Sequence, residues 1–161
     1  LYIQQLYMKE LNKILKTDAK MPLSRASVIN IFQTASWMKD DLSLTLKPFD
    51  ISIEQFNVLR ILRGQNGKAI NLQDIQERMV SKMSNTTRLV DKLIKKNFVE
   101  RKICPTNRRK VEISITDLGL STLKTLDPII DDTEHVMIKN LTQEELIRLN
   151  SLLLKLKNKT L

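Results

Sequence analysis

Two short runs carry the side chains with the most chemical reach, Ser84-Asn85-Thr86-Thr87-Arg88 and Arg108-Arg109-Lys110. Hydroxyls, an amide and guanidinium forks suit hydrogen bonding to base edges and phosphates, and a guanidinium can hold guanine through two bonds at once. Arg88 is the best base reader of the set, with Ser84, Asn85 and Thr87 beside it. The charge agrees. Residues 78–110 hold eleven Lys and Arg against Asp91 and Glu100, which accounts for the formal +9 of all 161 residues. An anionic partner, a nucleic acid or a lipid surface, is expected at this segment. Lys82, Lys92 and Lys95 are candidates for phosphate contact, although for Lys95, Lys96 and Lys102 a merely solvated face weighs equally.

Chemistry of other kinds finds little to work with. There is no Gly-rich phosphate loop, no Cys/His spacing suited to a metal, and no second histidine to act as a base near Cys104. Asp131, Asp132, Glu134 and His135 put a carboxylate and an imidazole one helical turn apart, but a single histidine among scattered acids reads as a solvated helix face. Cys104 has Arg101, Lys102, Arg108 and Arg109 near it in sequence, which would favour a thiolate, yet a small wing residue is the preferred reading over an oxidant sensor. No catalytic residue, metal or cofactor is expected, and the chain is not read as an enzyme.

The elements that must position these groups follow from periodicity and punctuation. Residues 1–16 read as a short amphipathic arm broken at 18–22. A long helix is expected over 24–46, with Val28, Ile31, Phe32, Ala35, Met38, Leu42 and Leu46 on one stripe and Lys47-Pro48 ending it. Ser52 and Gln55 match a capping box that starts a helix through Phe56, Leu59 and Leu62, stopped by Gly64-Gln65-Asn66-Gly67. Asn71 should cap a short helix through Leu72, Ile75 and Met79, and Ser84 or its neighbour the next, carrying Thr86, Leu89, Val90 and Leu93 inward. Asn97 is expected in left-handed geometry just past that helix. Strands over 98–103 and 111–115 would pair, leaving CPTNRRK as a long hairpin tip. Thr116 should cap a helix to about residue 140, kinked at Pro128, and Thr142 with Glu145 should open a last helix through Leu146, Leu149, Leu152, Leu153 and Leu156.

Helix, turn, helix, hairpin is the order of a winged helix-turn-helix, in which a helix lies in the major groove and a basic hairpin reaches the adjacent minor groove or backbone. The expected class is mainly α with a small β-hairpin wing, one structural domain made of an arm and dimerisation helix (1–48), the winged lobe (49–116) and C-terminal dimerisation helices (117–161). The flanking helices carry more apolar stripe than a small lobe can cover, so a second copy is the expected partner.

Three segments, ISIEQFNVLRIL at 51–62, TRLVDKLIKKNFVER at 87–101 and the wing pattern from Cys104 to Thr116, resemble the MarR family of bacterial transcription regulators, a likeness running from about residue 25 to 160. The resemblance implies a homodimer binding a palindromic duplex DNA operator, often as a repressor released by a small-molecule effector or an oxidant. It implies that Arg109 is the wing arginine inserted into the minor groove. Asn107 stands where the family has an acidic residue that orients this arginine, Cys104 where it usually has Asp, and Asn97 where it usually has Gly. It also suggests an effector pocket lined by Phe32, Trp37, Met38 and Phe56, residues whose helical spacing most often marks a core.

A lone cysteine cannot form an internal disulfide and no apolar run approaches the ~20 residues that span a bilayer, so a cytoplasmic location without membrane contact is expected. The opening LYIQQLYMKE lacks the layout of a signal peptide, and without an initiator Met the numbering is expected to start inside a longer product. The competing reading is a winged-helix module that binds RNA, a protein partner, or DNA without sequence preference.

Overall fold

The computed structural model describes residues 9, 10, 12–14, 16, 21–104 and 107–157, and the side chains of all of these except 103–110. The elements in order are α1 (Leu23–Leu46), a 3-10 turn (Lys47–Phe49), α2 (Ile53–Arg63), α3 (Leu72–Arg78), α4 (Thr86–Lys95), β1 (Val99–Cys104), β2 (Asn107–Ile115), α5 (Asp117–Ile138) and α6 (Gln143–Lys157). The mainly helical class with one antiparallel hairpin is as expected. Of the expected arm, residues 9–10 and 12–14 are helical, and the remainder of 1–20 apart from Lys16 lies outside the described residues. The chain divides into two compact units, 1–41 and 42–161, with α1 continuous through the boundary.

In the larger unit, helix starts are set by side chains satisfying the orphan amides of the first turn. Ser52 and Gln55 form the expected reciprocal box at 3.2 and 3.0 Å. Asn71 and Asp74 form a second at 2.9 and 3.4 Å, and Thr142 with Glu145 a third at 3.3 and 2.9 Å. Thr116 caps α5 by accepting from the Gly119 amide at 3.0 Å. Pro128, expected to kink α5, lies within it, and the helix is continuous across that position.

The core gathers Leu46 from α1, Phe56, Leu59 and Leu62 from α2, Ile75 from α3, Val90 and Leu93 from α4, Val99 and Ile113 from the hairpin, and Leu123, Leu126 and Ile130 from α5. On α2, α4 and α5 these residues recur three or four apart, so each of those helices contributes one apolar face. Arg63 at the end of α2 holds Asp127 of α5 through both guanidinium nitrogens, which braces α2 against α5. Thr45 and Thr133 join the end of α1 to α5 at 3.2 Å.

Two features of the hairpin differ from expectation. The strands reach Cys104 and Asn107, so the tip is short and residues 107–110 lie in β2. The register shifts between the pairs Ile103 with Val111 and Cys104 with Asn107, so Arg108, Arg109 and Lys110 stand opposite a single step of β1. A bulge of this kind leaves extra residues of one strand unmatched and bends it. Secondly, Ile70 forms an antiparallel bridge with Ile113, its N–H donating at 3.0 Å and its carbonyl accepting at 2.8 Å. This ties the α2–α3 connection to the wing.

Apolar side chains remain outside this core. No residue of α6 is buried, and Ile147, Leu149, Leu152, Leu154 and Leu156 are all exposed. Leu146, Ile147 and Leu154 lie together on one open face of α6. In the smaller unit, α1 exposes Leu23, Val28, Ile31, Phe32 and Trp37.

Candidate nucleic-acid interface

The segment joining α3 to α4 is fastened at several points. Gln76 of α3 donates through its side-chain N–H₂ to the Lys82 carbonyl at 2.5 Å, and its other amide atom accepts the Thr86 hydroxyl. Thr86 is buried by this contact, as its expected inward position required. Asn57 of α2 accepts the Val80 amide at 3.1 Å, and the Ser84 amide donates to the Ser81 carbonyl at 3.3 Å. The Lys82 ammonium donates to the Glu77 carbonyl. A turn held at both ends presents the start of α4 in one orientation, which is what reading a groove demands.

Asn85 is the N-cap of α4, its side-chain oxygen accepting the Arg88 amide at 3.0 Å. Its oxygen is therefore engaged in the helix start, a role distinct from the base contact expected of it. Thr87 and Arg88 are exposed and Ser84 is half-buried. Between the start of α2 and the start of α4 lies a groove of about 440 Å³ lined by Ser52, Glu54, Ser84, Asn85, Arg88 and Lys92. The expected residues Ser84, Asn85, Arg88 and Lys92 thus share one surface.

Pairing sorts the cations. Lys96 donates to the Asp50 carboxylate at 2.5 Å. Arg101 pairs with Asp91 at 2.8 Å, and Lys102 with Glu100 at 2.7 Å. The Lys96 hydrogen bond and charge hold the Asp50 carboxyl below its ordinary range, with a smaller contribution from Lys92. Hydrogen bonds from Lys102 and Ser114 do the same for Glu100. Arg88 and Lys95 enter no ion pair among the described residues, and both are exposed.

The Asp91–Arg101 pair links α4 to β1, a contact with no local signature because its partners lie on different elements. The α4 C-terminus sets the same junction. Asn97 takes φ +59°, as expected. The Asn97 and Phe98 amides donate to Ile94 and Leu93 at 2.9 and 3.0 Å, closing the helix and launching β1. The backbones of Arg108, Arg109 and Lys110 are in β2, while their side chains and those of Cys104 and Asn107 lie outside the described residues.

A family model for MarR matches residues 51–111, which span α2 through most of β2. The HTH-type transcriptional repressor IacR of Pseudomonas putida is 26% identical over 108 residues, covering 67% of this chain and 64% of IacR. The chain thus spans less than two thirds of that relative. The multiple antibiotic resistance protein MarR of Escherichia coli K12 is 30% identical over 111 residues, covering 68% of this chain and 76% of that protein. The chain belongs to the MarR family. This is a family of transcription regulators and not of enzymes. A crystal structure of a mutant E. coli MarR complexed with operator DNA superposes with a TM-score of 0.73 at 27% identity, covering 91% of this chain and 97% of the other. The winged-helix fold is thereby shared with a MarR protein caught on its operator.

Of the residues suggested for an effector pocket, Phe56 is buried in the core of the larger unit, where Arg60 lies over its ring at 5.7 Å. Phe32 and Trp37 are 71% and 46% exposed on α1, and Met38 is half-buried. Asp131, Asp132, Glu134 and His135 lie on α5, and the first two, Glu134 and His135 are exposed. No cluster able to hold a metal ion occurs among the described residues. Among those residues, no helix is long and apolar enough to cross a membrane.

Proposed function

We propose that this MarR-family protein is a sequence-specific, duplex DNA-binding transcription regulator, a repressor acting in the cytoplasm as a homodimer on a palindromic operator. The observation that carries the reading is the start of α4. Exposed Thr87 and unpaired Arg88 project from a helix whose approach is pinned by Gln76, Asn57 and the Asn85 cap. Ser84, Thr87 and Arg88, with the N–H₂ of the capping Asn85, read the major groove, and Arg108, Arg109 and Lys110 serve the wing. Lys92 and Lys95 meet phosphates, with Lys82 at the turn. The likeness to a MarR protein complexed with operator DNA supports this use of the surface.

Dimerisation is supported by the apolar residues left exposed on α6 and, separately, on α1. A two-fold dimer sets its recognition helices about one DNA turn apart, roughly 34 Å. Release by a small-molecule effector belongs to the same reading and rests on family membership. Selection of bound duplexes from a random pool at near-physiological salt tests the proposal. One inverted repeat with half-sites about a helical turn apart is expected. Binding without a consensus would assign the basic face to RNA, a protein partner or non-specific DNA coating instead.

A further inference from the structure

The turn before the recognition helix carries two apolar side chains that the fold leaves bare. Val80 is 88% and Met83 95% exposed, whereas Met79, the last apolar residue before them, is buried at 2%. Met83 lies two residues ahead of the Asn85 cap, on the approach to Ser84, Thr87 and Arg88. The backbone around it is not loose. Lys82 on one side gives its carbonyl to Gln76, and Ser84 on the other donates to Ser81.

An almost fully solvated Met on a fixed turn has no role in the protein's own packing, and its flexible, polarizable thioether adapts to irregular apolar surfaces. The segment is positive, with Lys82 and Arg88 and no acid between residues 78 and 90, and Glu54 is the one acid in the groove that Ser84 shares with Arg88 and Lys92. That combination suits a polyanion that also offers an apolar feature. In the DNA major groove the apolar feature is the C5 methyl of thymine, which distinguishes A·T from T·A and from G·C.

We propose that Met83 is a specificity-determining residue that packs its thioether against a thymine methyl at one position of each half-site, adjacent to the base read by Arg88. The inference rests on the proposed operator binding. Arg88 then supplies hydrogen-bond readout and Met83 shape and apolar readout.

The test uses the full chain and the selected operator, with thymines replaced one at a time by uracil. Uracil keeps every hydrogen-bonding group and lacks only the methyl. Wild-type protein should lose roughly threefold to fourfold affinity at one thymine per half-site, the worth of about one buried methylene. Met83→Leu, which keeps an apolar tip, should retain that loss. Met83→Gln, similar in length and polar, should bind thymine and uracil operators alike at that position. Equal sensitivity of wild type and Met83→Gln at every thymine, or no sensitivity anywhere, would overturn the inference while leaving operator binding intact. A wild-type selection with no consensus would overturn both.

Discussion

Arg88 and Lys95 sit on the same helix with the same charge and should behave differently. Arg88 is at the first turn, exposed and without an ion pair, beside Thr87 and the capped Asn85. Lys95 is at the last turn, where a cation meets the helix dipole, and its proposed contact is with phosphate and not with a base. Arg88→Ala is expected to cost about 1–3 kcal/mol on the operator and to relax preference at one base pair. Lys95→Ala should weaken operator and random duplex by the same factor and lower the salt slope by about one. Parallel titrations on both duplexes check this, and equal losses on both for Arg88→Ala would sink its assigned role. The sequence made Arg88 legible because its position two residues after Thr86 fixes which way it faces. Gln76 was not legible, since its two partners, Lys82 and Thr86, come from a turn whose path only the folded chain defines.

The elements themselves were read well wherever the controlling contact is local. The capping boxes at Ser52 and Thr142, the Asn71 cap and the left-handed Asn97 depend on nearby residues, so these bounds follow from the chain alone, while the reciprocal bond from Asp74 to Asn71 is an addition of the structure. Pairing between distant segments was missed. The Ile70 bridge to Ile113 and the extension of β2 to Asn107 depend on strand register, which alternation over five residues leaves free at its ends.

Gly119 shows a second kind of omission. It is buried at the start of α5, and a Cβ there would meet the Phe98 carbonyl oxygen at 2.3 Å and Ile115 Cγ1 at 2.7 Å. Gly119→Ala should force the wing base from α5 and destabilise the fold by about 1–3 kcal/mol, measured by urea unfolding. An unchanged midpoint would mean that the junction yields freely.

The Lys96–Asp50 pair closes the other end of α4 and has a definite pH sense. The folded Asp50 carboxyl lies below its ordinary 3.8, so the pair's support is present above that value and is lost as pH falls through the lower, folded one. Wild type should melt slightly above Asp50→Asn at neutral pH, and the gap should close as pH falls below the ordinary 3.8 of the carboxyl. A gap that widens on acidification would contradict the sign.

At the scale of the molecule, the charge and the exposed apolar residues divide the labour. The cations of residues 78–110 carry the net charge, and α6 exposes five apolar side chains that its own unit does not cover. If the open apolar face of α6 lies in the proposed dimer interface, Leu154→Glu should raise the dimer dissociation constant by roughly tenfold or more, because an unpaired buried carboxylate is costly. Sedimentation across a concentration series reads this directly, and an unshifted profile would remove α6 from the interface. The flanking helices were legible as surplus apolar stripes, whereas the division into units at residue 41 was not, because α1 crosses it without any break in its pattern.

The most direct measurement is competition at near-physiological salt between the selected inverted repeat and a scrambled duplex of the same composition. A sequence-reading dimer predicts a preference of about 10³ or more for the repeat, retained as salt is raised. Equal affinity for both duplexes, falling together with salt, would contradict it and leave only a basic surface without readout.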